Sequence, residues 1–317
     1  MPAGGEPCLL DQCERQASTA TRFAGLVPLC RKMSRDCNAS QHAPKCGHMA
    51  KQGILLAAFG SGSRQGESTL RLFDARVRER FPGVPVRWAF TSVLMRERLA
   101  TVKKKSDSVG KALRRMAFEG FSRIALQPLH VVPGLEYREV TEEAARFATE
   151  TARRHGGRGA HLTVGEPLLS GRPGSLDRAC RALLASAPPE RRPDEAVLWM
   201  GHGSRHASSA HYRILGERVN EADPLAFVGT INGEARLDDL LPRLAGARRA
   251  WLLPLLSVVG RHALEDMSGP SPASWKSRLA AAGIEGLPVL RGMVESPAFA
   301  DIWLDHLETA LAGPEPA

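Results

Sequence analysis

The chain has 317 residues, 43% hydrophobic and 24% charged, with 43 Lys and Arg against 34 Asp and Glu for a net charge of +9. That length suits about two domains with a buried core, and the composition excludes wholesale disorder, a collagen-like fibre and a disulfide miniprotein. No apolar run reaches the roughly 18 residues a membrane-spanning helix needs, and the positive excess points to an anionic partner. Aromatics are only 5%, and the one dense basic run is Lys103-Lys104-Lys105, so the interleaved stripe of a nucleic-acid reader is missing.

Five of six cysteines, Cys8, Cys13, Cys30, Cys37 and Cys46, precede Met49, and only Cys180 follows. They form no CxxC pair. A zinc site with His42 or His48 is poorly supported, and the absence of an apolar period predicts a disordered leader over 1–48. No secretory signal is recognisable there. The remainder reads as built for the reducing cytoplasm.

From Met49 onward, short β-rich runs alternate with helical periods. Strands are expected at 54–59, 84–90, 123–127 and 161–164, with helices at 67–80, 109–119 and 139–154. After a helix at 176–186 and the proline-rich linker 187–194, strands follow at 196–200, 226–230, 250–253 and 287–290. Helices are expected at 208–221, 237–245 and 297–311. The predicted fold is α/β: two similar Rossmann-like halves, 49–170 and 171–317, each a four-stranded parallel sheet flanked by helices, with a cleft between them.

The halves repeat in sequence. Phe59-Gly60-Ser61-Gly62-Ser63-Arg64 aligns with Met200-Gly201-His202-Gly203-Ser204-Arg205, each ending the first strand of its half. Pro128 to Glu136 aligns with Pro254 to His262, each after the third strand. Ligands of parallel α/β sheets bind beyond the carboxyl ends of the strands, so Ser61, His202, Glu136 and His262 are expected on one cleft. Gly60-Ser-Gly-Ser-Arg-Gln-Gly66 misses the dinucleotide spacing by one residue, and its other readings are a tight turn or a loop gripping a carboxylate with Arg64. His202 and His206 are four apart without the HExxH of a zinc protease. Glu136 is placed in an accessible loop.

The stretches LLAAFGSGS, RWAFTS, LQPLHVVPGLEY, LWMGHGSRH, LLPLLSVVGRHALEDMSG, SWKSRLAAAGI and GMVESPAF resemble the sirohydrochlorin cobaltochelatases, the CbiK-like class II chelatases, in the family's order from about 52 to 309. The resemblance implies two Rossmann-like halves, with the last helix crossing back onto the first. It also implies insertion of Co(II) into sirohydrochlorin in anaerobic cobalamin biosynthesis, without ATP or any nucleotide. The expected partner is thus a polycarboxylate tetrapyrrole, with no nucleic acid and no membrane, and a homo-oligomer is compatible with it. The family's metal-binding histidines map onto His202 and His262, and a glutamate onto Glu136. His202 would also act as pyrrole base, Glu136 as auxiliary ligand or proton acceptor, and Arg64, Arg96, Arg98 and Arg205 would meet substrate carboxylates. Two positions depart from the family pattern: Asn232 where a glutamate is usual, and Arg261 where an aspartate precedes the second histidine. Each is expected to weaken attraction for a cation. Competing readings are an Fe(II) or Ni(II) chelatase, a non-catalytic tetrapyrrole or metal carrier, and a nicotinamide-dependent oxidoreductase.

Overall fold

The computed structural model describes residues 51–154, 159–203 and 207–313. The expected leader, Arg205 and His206 lie outside the described residues. The first half runs β1 (Gln52–Ala58), α1 (Arg64–Arg80), β2 (Val86–Phe90), α2 (Val93–Thr101), α3 (Val109–Phe118), β3 (Arg123–Pro128), α4 (Leu135–Arg154) and β4 (His161–Val164). After α5 (Ser175–Ser186) come β5 (Ala196–Gly203), α6 (Ala210–Ala222), β6 (Ala226–Asn232), α7 (Leu237–Leu240) and β7 (Arg249–Leu255). A π-helical turn (His262–Met267), α8 (Trp275–Ala281), β8 (Glu285–Pro288) and α9 (Pro297–Ala312) complete the order. The two sheets share one topology, β2-β1-β3-β4 and β6-β5-β7-β8, with every pair parallel.

Side-chain alternation along the central strands sorts the interior into three layers. Ile54, Leu56 and Ala58 of β1 and Val197 and Trp199 of β5 point into one shared core between the sheets, filled by α1, α5, α6 and α9. Leu55 and Ala57 point the other way, against α3 and α4. Leu198 and Met200 likewise meet α7, the π turn and α8. Burial on both faces is why β1 and β5 read as continuous apolar runs rather than alternating ones.

Several elements differ from expectation. Helix α1 starts at Arg64 rather than 67 because Ser63 caps it, its Oγ accepting from the Gly66 amide at 3.0 Å. Helix α4 starts at Leu135, so Glu136 stands in a first helical turn and not in a loop. Helices α2 and α8 were not expected; each is short and announced chiefly by its serine N-cap, Ser92 or Ser274. The strand expected at 287–290 lies at Glu285–Pro288.

The last helix packs on the first sheet. Pro297 opens α9, and Phe299, Ile302, Trp303 and Leu307 fill the shared core, Trp303 meeting Phe73 edge to face at 6.4 Å. Its final carbonyls, which no helical amide can reach, accept from first-half side chains. Gln52 donates to Leu311 O at 3.0 Å, Arg123 to Ala312 O at 3.2 Å and Thr163 to Ala310 O at 2.6 Å. Asp305 also pairs with Arg178 of α5 at 2.5 Å.

One polar side chain at the carboxyl end of β3 is buried without a partner. Neither ring nitrogen of His130 has a hydrogen-bond partner, and Tyr137 stands edge-on to the ring at 6.3 Å. Burial pushes its pKa down to about 4, against an opposing pull from Glu136.

Two outcomes are expected. Trp303→Ala should lower the unfolding free energy by about 3–5 kcal/mol through the cavity it opens, read from the urea midpoint. The second concerns pH. An unfolded histidine titrates near 6.5, so as pH falls from there towards 4 the unfolded chain binds a proton that native His130 refuses. Protonation of the unfolded chain therefore lowers the unfolding free energy across that window, by up to about 3 kcal/mol. Urea midpoints from pH 7 to 4.5 should fall less steeply in His130→Phe than in the unaltered protein.

Candidate active site

The carboxyl end of β5 presents His202 between two glycines that sterics require. A Cβ on Gly201 would lie 2.5 Å from the Tyr212 ring, and one on Gly203 would lie 1.7 Å from the Asn232 carbonyl oxygen. Gly203 also holds φ at +72°, where a side chain is strained. Close approach of β6 and α6 thus fixes the backbone on both sides of the imidazole. Beneath it, Tyr212 is buried with its phenol held above the usual range by desolvation, Glu136 adding to the shift and the Gly203 amide opposing it.

His262 reaches the same place from the carboxyl end of β7, on the first turn of the π helix. Such turns recur at functional sites because they re-aim side chains that an α-helix would direct elsewhere. The two imidazole rings stand edge to face with centroids 4.8 Å apart. His202 Nδ1 lies 2.9 Å from the Gly203 carbonyl oxygen, and His262 Nδ1 lies 2.6 Å from the Asp266 carboxylate. A carbonyl oxygen only accepts, as does an ionised carboxylate, so each Nδ1 carries the hydrogen. Both Nε2 atoms are thereby left with lone pairs, the form that binds a metal or takes a proton.

Glu136 is exposed on the first turn of α4, and its charge reaches both Tyr212 and His130. It does not complete a ligand set with the imidazoles: among the described residues no three His, Cys, Asp or Glu side chains are grouped to hold a metal ion. Ser61 is buried and bonds Ser63. Arg64 opens α1, whose first turn abuts Val259 in the loop before His262, a Cβ on Gly66 falling 3.0 Å from its carbonyl oxygen, and Gln65 donates to Leu290 O, after β8, at 2.6 Å. Arg98 is exposed on α2. The Nη1 of Arg96 instead donates to the Phe90 and Thr91 carbonyls at 2.6 and 2.9 Å, which pins α2 to the end of β2.

The two departures also find places. Asn232 is exposed at the end of β6, in register with Gly203. Glu234, two residues on, is ion-paired with Arg213 at 3.6 Å. Arg261 is turned to Glu265, 2.6 Å away, so its charge is countered within its own turn while Asp266 faces His262. Sequence reasoning missed Asp266, which the four-residue spacing from His262 on a helix could have flagged. It also missed buried His130, whose two unpartnered nitrogens have no sequence signature.

The family model described as cobalt chelatase (CbiK) matches residues 52–312. A protein of Nitratidesulfovibrio vulgaris named sirohydrochlorin cobaltochelatase CbiKC is 56% identical over 274 residues, 86% of this chain and 93% of that one. The sirohydrochlorin cobaltochelatase of Salmonella typhimurium is 29% identical over 269 residues, 82% of this chain and 97% of its own. Among solved structures, the sirohydrochlorin chelatase SirB of Bacillus subtilis subspecies spizizenii in complex with cobalt shares the fold, with a TM-score of 0.58 at 13% identity over 84% of this chain and 97% of that one. With a family model spanning both halves and a majority-identical relative over most of its length, the chain belongs to the cobalt chelatase (CbiK) family.

Proposed function

We propose that the protein inserts Co(II) into sirohydrochlorin, a step of cobalamin biosynthesis, without ATP and in the cytoplasm. The observation that carries this reading is the pair of imidazoles 4.8 Å apart with both Nδ1 atoms occupied. Two neutral nitrogen donors suit cobalt, a borderline cation, and a lone pair free for a metal is also free to accept a proton. Insertion requires a cation presented to the face of the macrocycle and the loss of two pyrrole N–H protons. His202 and His262 hold the entering cation through Nε2. His202 then takes a pyrrole proton as the metal transfers, and exposed Glu136 serves as auxiliary ligand or acceptor of the second.

Asp266 holds the His262 ring in one tautomer, with its Nε2 lone pair free for a ligand. Arg64 and Arg98, and Arg205 beyond the described residues, meet the carboxylates at the edge of the macrocycle by charge-assisted hydrogen bonds. Arg96 is a weaker candidate because one nitrogen is committed to backbone carbonyls. Among the described residues no helix is long and apolar enough to cross a membrane.

Continuous absorbance assays with sirohydrochlorin and Co(II), Fe(II) and Ni(II) in parallel test the reading. Many conversions per chain with cobalt are expected; at most one would make the protein a carrier. Alanine at His202 or His262 should lower cobalt insertion by about 10²–10⁴-fold, and unchanged insertion would remove them from the mechanism. Asp266→Asn should cost about 10–100-fold in cobalt affinity or in rate, with circular dichroism unchanged because the side chain is exposed.

A further inference from the structure

We propose that Phe59, Val93 and Leu94 form an apolar platform on the first half that takes one face of the tetrapyrrole macrocycle. The inference rests on reading sirohydrochlorin as the substrate, and it names the side chains that meet the ring itself rather than its carboxylates. Its starting point is an asymmetry between two halves of one topology. Phe59 follows β1 where Met200 stands in β5, yet Met200 is fully buried and Phe59 is 51% exposed. A helix also follows the second strand of each half. Helix α7 buries Leu237 and Leu240, whereas α2 leaves Val93 60% and Leu94 57% exposed. Large apolar side chains gathered in the open mark a surface that a partner covers.

The three residues adjoin, on a backbone that is held in place. The Phe59 carbonyl accepts from the Ser92 amide at 3.4 Å, which ties the end of β1 to the cap of α2. Met95 packs against the turn that follows Phe59: a Cβ on Gly60 would lie 2.9 Å from its Cγ, and one on Gly62 would lie 3.5 Å from its Sδ. Leu99 is buried, and Arg96 holds the Phe90 and Thr91 carbonyls. Helix α2 is thus seated by Met95, Arg96 and Leu99. Val93 and Leu94 take no part in seating it.

Two features select a carboxylated ring as the occupant. The first is continuity with the loop that presents His262. Gly66 is wedged between Ser61, two residues after Phe59, and Val259, three residues before His262: a Cβ there would overlap the Ser61 hydroxyl and lie 3.0 Å from the Val259 carbonyl oxygen. The second is charge. Exposed Arg64 lies five residues after Phe59, and exposed Arg98 lies one helical turn from Leu94. Lys103 and Lys105 follow, both exposed, and Glu97 is the one acid between 93 and 105. Apolar side chains with cations at their margin complement a flat ring whose edge bears carboxylates. A second copy of this chain, docked by the same patch, would instead set like charges against each other.

Titration of metal-free sirohydrochlorin into the full chain, followed by the ligand's own absorbance, tests the proposal. Phe59→Ser/Leu94→Ser should raise the dissociation constant at least tenfold and the KM for sirohydrochlorin with it. Co(II) binding in equilibrium dialysis and the thermal midpoint should both stay as they were. Phe59→Leu/Leu94→Met should keep tight binding, because buried apolar area carries the contact. Phe118→Ser serves as the control: its side chain is 93% exposed but ends α3, ahead of the amino end of β3, and its loss should leave sirohydrochlorin binding unchanged. Unchanged affinity in Phe59→Ser/Leu94→Ser would overturn the platform, as would an equal loss in Phe118→Ser. A change from dimer to monomer on sedimentation, with affinity unchanged, would give the patch to a second copy and overturn it too. If the unaltered chain binds no sirohydrochlorin, the substrate reading fails and the platform falls with it.

Discussion

Two hydrogen bonds at Nδ1 decide what this site can do. Were the His202 ring released from the Gly203 carbonyl, or the His262 ring from Asp266, each imidazole could present either nitrogen and turn away from the other. Held as they are, they face one another with both Nε2 lone pairs open. That arrangement makes demands on the fold behind it. The Gly203 carbonyl is in place because the strand end is clamped between Tyr212 and Asn232, and Asp266 reaches its partner because the chain after β7 winds into a π turn. The pair itself needs β5 and β7 side by side, which their paired buried registers and the shared core enforce.

The architecture was readable in the sequence because its determinants are local. Buried parallel strands appear as short apolar runs, and the duplication shows twice in matching order. His202 and His262 were legible for the same reason, each lying at a strand end the repeat had marked. What could not be read depends on contacts between residues far apart or on details too short to leave a pattern. The caps at Ser92 and Ser274 start helices with little periodicity. Glu136 looked like a loop residue because Pro133-Gly134 announces a turn, and only the structure shows that α4 begins directly after it. The effect expected of Arg261 was read from its charge, whereas its neighbour Glu265 takes up that charge.

The two halves share a topology but have divided the work. At the first strand end, the second half has His202 and the first has Ser61, a buried residue whose hydroxyl is spent on the turn that starts α1. The first half contributes instead the N-terminal turns of α1 and α4, one against Val259 of the loop before His262 and the other carrying Glu136. The second half presents both histidines, His202 after β5 and His262 after β7.

The return of α9 to the first sheet carries a consequence for how the chain is made. Gln52 and Leu311 are 259 residues apart in sequence, yet they share a hydrogen bond, and α9 seals the core of the half synthesised first. During translation that half must wait, with Phe73 and its neighbours lacking their cover, until the final turn leaves the ribosome. Contacts of such long sequence separation slow folding and lengthen the exposure of apolar surface. The histidine pair, whose strands share that core, waits for the same helix.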